Sequence, residues 1–155
     1  MSGPRPRPEA APRARALDLL ARREHSRAEL RRKLGGAGSD PAELDAVLDQ
    51  LAAAGLQSDA RYAESYVRSY AERGDGPLKI RQGLRQRGVD GSLIDAALEA
   101  AEVDWGERLE SARAKRFGPG LPGERREQAR QARFLAQRGF TTEAIRRRLT
   151  DTWEA

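Results

Sequence analysis

The chain has 155 residues, a length that suits one domain or a few small units. Its composition excludes several classes of fold and function. Only 4 Val and 3 Ile are present, too few for the strands of a sheet, whereas the strong helix formers Ala, Leu, Arg and Glu dominate. The absence of Cys and the single histidine, His25, exclude a disulfide framework, a thiol nucleophile and a histidine-rich metal site. We therefore expect an all-α protein that uses no metal or cofactor and is not an enzyme.

The charge balance points to the kind of partner. The chain has 29 basic and 24 acidic residues, a net charge of +5 and a pI near 10.2, which favours a polyanion or an acidic protein surface as partner. The chain contains no run of 18 apolar residues, so no membrane span is predicted. Its N-terminus lacks the apolar stretch of a signal peptide. We expect a cytoplasmic protein with no membrane partner.

In chain order, residues 1–13 contain four prolines, with arginine between the first three, and are predicted to form a disordered tail, because proline blocks helix and favours extended backbone. A helix follows, and Ser26 with Glu29 three residues later has the capping-box spacing that starts a second helix. Asp40-Pro41 predicts the start of the third helix, and Ser58-Asp59 the start of the fourth.

An internal repeat of about 50 residues organises the chain. The first helix recurs between the first two units, where Leu17, Leu20 and Arg23 correspond to Val67, Tyr70 and Arg73. The second and third helices recur in all three units, with a glycine between them that lets the chain turn and one polar exception, a glutamine, in the third unit. The recurring positions are Leu30, Leu34, Gly38, Leu44 and Leu48; Ile80, Leu84, Gly88, Ile94 and Leu98; and Gln131, Leu135, Gly139, Ile145 and Leu149.

The repeat predicts three tandem three-helix units at 14–57, 58–101 and 102–155. One unit has too few large apolar residues to fold alone, so we expect the units to stack into an elongated, curved, solenoid-like molecule. The first helix of the third unit is predicted at about 104–117. The Gly/Pro linker at 118–123 after it is expected to make that unit more mobile than the other two.

Charge is segregated among these helices. Helix two is basic in every repeat, and helix three is acidic in the first two but basic in the third. Two interpretations stay open: basic helices pair with acidic neighbours, or they form a strip that binds phosphate. The pairing interpretation is weaker for the third repeat, whose basic excess has no acidic helix nearby. The candidate contact residues are Arg31, Arg32, Lys33, Lys79, Arg81, Arg85, Arg87, Arg130, Arg133, Arg146, Arg147 and Arg148.

Aromatic side chains offer a second, weaker signal for nucleic acid. The stripe Tyr62, Tyr66 and Tyr70 has the spacing of a helix face, which indicates a core stripe more often than a platform for single-stranded bases. Trp105 and Trp153 are predicted to be packing anchors. His25 lies beside a capping residue and is predicted to be structural or solvent-facing.

The chain resembles the RecX family of regulatory proteins over roughly residues 14–150, through a combination of short motifs in a fixed order. The central part carries Asp59-Ala60-Arg61-Tyr62-Ala63, Tyr66-Val67, Gly76, Lys79-Ile80, Leu84, Gly88-Val89, Ile94 and Ala97-Leu98. Upstream are Ala16-Leu17, Ser26, Glu29-Leu30 and Lys33-Leu34, and downstream Phe134-Leu135, Arg138-Gly139-Phe140, Ile145 and Leu149.

This resemblance implies three tandem three-helix repeats and a protein that binds the RecA recombinase. It further implies binding in the groove of the RecA filament on single-stranded DNA and inhibition of ATPase, coprotease and strand-exchange activity, in an SOS-linked setting. We expect a monomer whose curved basic face lies as a wedge along the filament groove. The alternatives are a stand-alone helical DNA-binding module of helix-turn-helix type and a helical scaffold whose charges are only internal salt bridges.

Overall fold

Nine α-helices in three successive groups of three form the part of the chain that the computed structural model describes, residues 11–36 and 38–150. No strand occurs in these two ranges, and none of their helices is long and apolar enough to cross a membrane. The predicted all-α fold of three tandem three-helix repeats is confirmed. The helices are α1 Pro12–Arg22, α2 Arg27–Leu34, α3 Pro41–Ala53, α4 Asp59–Glu72, α5 Pro77–Gln86, α6 Gly91–Ala100, α7 Trp105–Phe117, α8 Arg125–Gln137 and α9 Thr142–Thr150.

Capping residues set most of the helix starts, as the sequence indicated. The Glu29 N–H donates to Ser26 Oγ at 3.1 Å and the Ser26 N–H donates to Glu29 Oε1 at 3.5 Å, which completes a capping box. Helix α1 begins at Pro12, two residues inside the predicted tail, because proline is favoured at the first position of a helix. The rest of that tail, residues 1–10, lies outside the described residues, as does Trp153.

Each repeat closes a small hydrophobic core of its own. The first is centred on Leu30, Leu48 and Leu51, the second on Val67, Ile80 and Ile94, and the third on Leu109, Leu135 and Phe140. Trp105 packs against both the second and the third core, so its predicted anchor role is confirmed. Because the cores follow one another in tandem, the molecule is extended along the series of repeats.

The repeats are joined by a contact that recurs at both junctions. The turn after helix two of one repeat meets the first turn of helix two in the preceding repeat. At the first junction Ser26 Oγ donates to the Arg87 carbonyl at 2.8 Å, and at the second the Gly76 N–H donates to the Arg138 carbonyl at 2.6 Å. Arg87 and Arg138 are equivalent positions, so one local geometry builds both junctions.

Glycine follows each of these arginines because two constraints coincide there. Gly88 and Gly139 have φ of 79° and 95°, a region that costs other residues energy. A Cβ on Gly88 would lie 2.4 Å from Ala28 Cβ, and one on Gly139 would lie 2.4 Å from Lys79 Cβ. Gly38, the equivalent of these two glycines, has φ of 90°, but among the described residues no atom lies within 4 Å of the position its Cβ would take.

A buried arginine fastens the linker of the third repeat. Arg113 is fully buried, and its guanidinium donates to the carbonyls of Pro119 and Gly120 at 3.2 and 3.1 Å. It also donates to Gln131 Oε1 at 3.3 Å and pairs with Glu110 at 2.8 Å. The glutamine that breaks the apolar repeat therefore has a structural purpose. Two carbonyls of the linker that is predicted to make this unit more mobile are thus hydrogen-bonded to a side chain of its core.

Glu29 is a buried carboxylate at the first junction, only 4% exposed. Arg23 Nη2 lies 2.9 Å from its Oε2. Burial is the largest single influence and by itself would raise the pKa of Glu29, but the hydrogen bonds from Arg23, Tyr62 and the Ser26 backbone, together with the charge of Arg23, outweigh it and lower that pKa to about 2. His25 next to it is buried as well, and its Nδ1 lies 3.0 Å from the Arg23 carbonyl, which confirms a structural role.

We expect Gly139→Ala to destabilise the protein more than Gly38→Ala. Both variants put a side chain at positive φ, which costs about 1–2 kcal/mol. Only the first also forces a Cβ into Lys79, and such overpacking costs about 1–3 kcal/mol more. Denaturant unfolding measures the difference, and hydrogen exchange should show faster opening of the Gly76 and Leu78 amides. Equal costs for the two variants would contradict the role of the junction.

We expect Glu29→Gln to lower the free energy of unfolding at neutral pH by about 1–3 kcal/mol, because it leaves Arg23 without its buried carboxylate while glutamine still completes the capping box. The folded-state pKa of about 2 lies below the usual value of 4.5, so the carboxylate stabilises the fold above pH 4.5 and that stabilisation is lost as the pH falls toward 2.

Urea unfolding as a function of pH tests this expectation, since the variant should lose less stability between pH 4.5 and 2 than the parent protein. Glu143→Gln is the matched control, because its ion pair with Arg147 is exposed at both ends and contributes little. An unchanged acid profile in the Glu29 variant would rule out this carboxylate as a source of acid sensitivity.

Candidate anion-binding surface

In the first two repeats, some of the predicted contact residues form ion pairs within the chain. Arg31 Nη2 lies 2.7 Å from Asp45 Oδ1, and Arg81 pairs with Asp95 at the equivalent position of the next repeat. Each pair joins the basic helix two to the acidic helix three of its own repeat. The pairing interpretation therefore holds for these two arginines, which are only partly available to a partner.

The third repeat, whose basic excess has no acidic helix nearby, still pairs three of its predicted arginines with carboxylates. Arg148 Nε lies 2.6 Å from Glu110 Oε2 on α7, and Arg130 lies 3.2 Å from Glu127 within α8. Arg147 pairs with Glu143 on its own helix at 3.1 Å. One of these carboxylates lies on α7 and the other two lie in the first turns of α8 and α9, so the three arginines are paired without an acidic helix. The Arg113 and Arg148 guanidiniums hold the pKa of Glu110 at about 2, although burial opposes them.

Three further candidates have partners near the junctions. The Lys33 ammonium lies 3.2 Å from His25 Nε2, and Lys79 Nζ lies 3.4 Å from Asp75 Oδ1. The Arg87 guanidinium donates to the Gly83 carbonyl at 3.0 Å and lies 5.1 Å above the ring of Tyr66. These contacts fix the orientation of each side chain. With these contacts, the side chains of Lys79 and Arg87 lie at the surface of the second repeat, Lys79 exposed and Arg87 partly buried.

Four predicted residues stay open to solvent. Arg32, Arg85, Arg133 and Arg146 are exposed, and no carboxylate pairs with them among the described residues. Arg32 and Arg133 occupy equivalent positions on helix two of the first and third repeats, since their spacing is that of two repeat lengths. This recurrence places unpaired guanidiniums on corresponding sides of distant repeats.

The structure also gathers cations that the sequence reasoning missed. A cavity of about 320 Å³ lies between the second and third repeats, and α4, α7 and α8 contribute its walls. Its basic lining residues are Arg73, Arg108, Lys115, Arg116 and Arg138, and none of them was among the predicted contact residues. The signal available was the place of four of them near helix C-termini, where cations are favoured, and the recurrence of Arg23 as Arg73; Arg108, near the start of α7, gave no such signal.

A second cavity of about 310 Å³ adjoins the first and contains the tyrosine stripe. Tyr62 is buried in the core, whereas Tyr66 and Tyr70 are half-buried and stack on each other with ring centroids 4.1 Å apart. Arg73 lines both cavities and lies 4.9 Å above the Tyr70 ring. The stripe is thus a core feature at one end and a cavity wall at the other.

Comparison with known protein families finds three matching models in order along the chain. They are described as the first, second and third three-helix domains of RecX, and they match residues 13–51, 58–98 and 102–149. These ranges coincide with the three groups of helices in the structure.

Similar proteins and solved structures agree with these models. A protein of Halorhodospira halophila named Regulatory protein RecX is 53% identical over 136 residues, 88% of this chain and 84% of the relative. One of Pseudomonas entomophila with the same name is 48% identical over 90% of each chain. A crystal structure of regulatory protein RecX matches with a TM-score of 0.76 and 29% identity, covering 92% of this chain and 71% of that chain.

The structure titled RecX from Lactobacillus salivarius matches with a TM-score of 0.71 and 26% identity, covering 86% of this chain and 89% of that chain. The order of the three domains, the sequence identity and the shared fold agree over nearly the whole chain. This chain belongs to the RecX family of regulatory proteins.

Proposed function

We propose that this protein binds the RecA filament on single-stranded DNA and inhibits its ATPase, coprotease and strand-exchange activities. The observation that carries the proposal is the match of all three RecX domains, in order, across most of the chain. The relatives are named regulatory proteins, which supports action by binding rather than by catalysis. We propose that it acts as a cytoplasmic monomer.

The unpaired arginines support binding to a long polyanionic partner. Arg32 and Arg133 lie at equivalent positions two repeats apart, and Arg85 and Arg146 add exposed guanidiniums on α5 and α9. An extended series of repeats carries such groups along its length, so it suits a filament with a regular succession of phosphates and acidic side chains. The planar guanidinium binds phosphate or carboxylate with two parallel hydrogen bonds.

The mechanism in this proposal is a wedge. A molecule seated along the filament groove contacts several subunits at once, so it resists any change in their relative position. ATP turnover and the entry of a second duplex both need such changes, and both slow when the groove is occupied. Binding energy favours one state of the filament only to the extent that the wedge binds that state more tightly.

The burial of two helix starts weighs against the helix-turn-helix alternative. A recognition helix reads base edges with residues near its N-terminus. Here the N-terminal residues of α2 and α5 lie under the turn of the following repeat, with Ser26 fully buried and Gly76 bonded to the Arg138 carbonyl. Neither helix can insert its first turn into a DNA groove without separating the repeats.

We expect the triple variant Arg32→Gln, Arg133→Gln, Arg146→Gln to raise the concentration needed for half-inhibition of the single-stranded-DNA-dependent ATPase of the cognate RecA about tenfold and to reduce its salt dependence, because each guanidinium lost removes a contact to phosphate or carboxylate. Arg148 is left in place because it holds α7 through Glu110.

The matched control is Arg31→Gln, Arg81→Gln, Arg147→Gln, which removes the same charge from arginines that are paired within the chain. This control should change half-inhibition less than threefold. An equal loss in both variants would show that net charge alone governs binding, and a parent protein without effect on the ATPase would refute the proposed function.

A further inference from the structure

The cavity between the second and third repeats has an excess of positive charge. Arg73, Arg108, Lys115, Arg116 and Arg138 line it, and among the described lining residues Glu72 is the one carboxylate. Arg138 has a weak partner in Asp75 at 3.7 Å. No carboxylate pairs with the other four cations in the part of the chain that the structure describes.

Helix termini cancel only part of this charge. The five cations exceed Glu72 and Asp75 by a net charge of +3. The C-terminal ends of α4, α7 and α8 approach the cavity, and each contributes about −0.5 of an elementary charge at most. About half of the excess therefore remains, and like charges gathered in one cavity repel one another unless an anion joins them.

Aromatic rings help to orient two guanidiniums of this cavity, those of Arg116 and Arg138. Arg116 lies 5.8 Å from the ring centre of Phe117 and 6.0 Å from that of Phe134, and Arg138 lies 5.4 Å from Phe134. Such stacking orients a guanidinium while its N–H groups stay free for in-plane hydrogen bonds. Less entropy is lost when a ligand binds to side chains that are already oriented.

We infer that this cavity is a nucleotide-phosphate site, a site that family membership does not assign. Guanidinium groups bind phosphate oxygens in pairs, Lys115 adds a compact charge, and Ser111 adds a hydroxyl. Arg73 also lines the adjoining cavity, whose walls include Tyr66, so a phosphate held in the first cavity leaves the neighbouring sugar or base beside an aromatic wall.

The ligand class is a nucleotide, either free or within a single strand of nucleic acid. The inference concerns the isolated protein and does not depend on an effect on RecA. Two probes separate the sources: ATP without magnesium stands for a free nucleotide, and a short labelled oligothymidylate stands for a phosphodiester backbone. Calorimetry measures the first, and fluorescence anisotropy at several salt concentrations measures the second.

The test variant is Arg73→Gln, Lys115→Gln, Arg116→Gln, whose side chains make no ion pair among the described residues. We expect at least one probe to bind the parent protein and the variant to bind it about tenfold more weakly. For the oligonucleotide, the slope of log affinity against log salt should fall by about 2, since each phosphate contact on a single strand contributes roughly 0.7.

The control is again Arg31→Gln, Arg81→Gln, Arg147→Gln, which has the same net charge as the test variant and should bind within about threefold of the parent. Thermal unfolding confirms that both variants are folded. If the test variant is unfolded, Lys115→Glu alone replaces it, because Lys115 is exposed. Binding of neither probe, or an equal loss in test and control, would overturn the inference, whatever the ATPase assay shows.

Discussion

The three repeats depend on one recurring contact, the glycine turn of one repeat against the start of helix two in the repeat before it. At both junctions the carbonyl of an arginine accepts a hydrogen bond from the residue that precedes helix two, Ser26 or Gly76. The glycine that follows each arginine lets the two backbones approach. In the third repeat the matching position, Glu127, lies inside α8, so the start of that helix differs from the starts of α2 and α5.

The same geometry decides which cations can meet a partner. Arg31 and Arg81 face an acidic helix of their own repeat and are partly neutralised, whereas Arg32 and Arg133 point away from such partners and stay exposed. Cations at helix ends meet at the second junction because the turn of α8 is seated there. The guanidiniums without a carboxylate partner among the described residues are therefore distributed over the repeats and the second junction.

Much of the fold was predictable from periodicity, and less of the site was. The capping box at Ser26, the glycine at position 88 and the apolar positions each follow from local rules, so the helices and repeats could be read from the chain. The partners of Arg148 could not, because Glu110 lies on another helix and far away in sequence. Gln131 looked like a defect in the repeat, and only its contact with the buried Arg113 explains it.

Periodicity and residue order were enough to establish that the protein is helical, has three repeats and resembles RecX proteins. These properties depend on neighbours within a helix or on a fixed spacing, and both are visible in one dimension. Tertiary structure decided which charges are paired, how the linker is held and that five cations from three helices share one cavity. Those outcomes depend on distances between segments that are remote in the chain. A change of a few ångströms in the distance between two charged groups decides whether they form an ion pair, repel each other or remain available to a ligand.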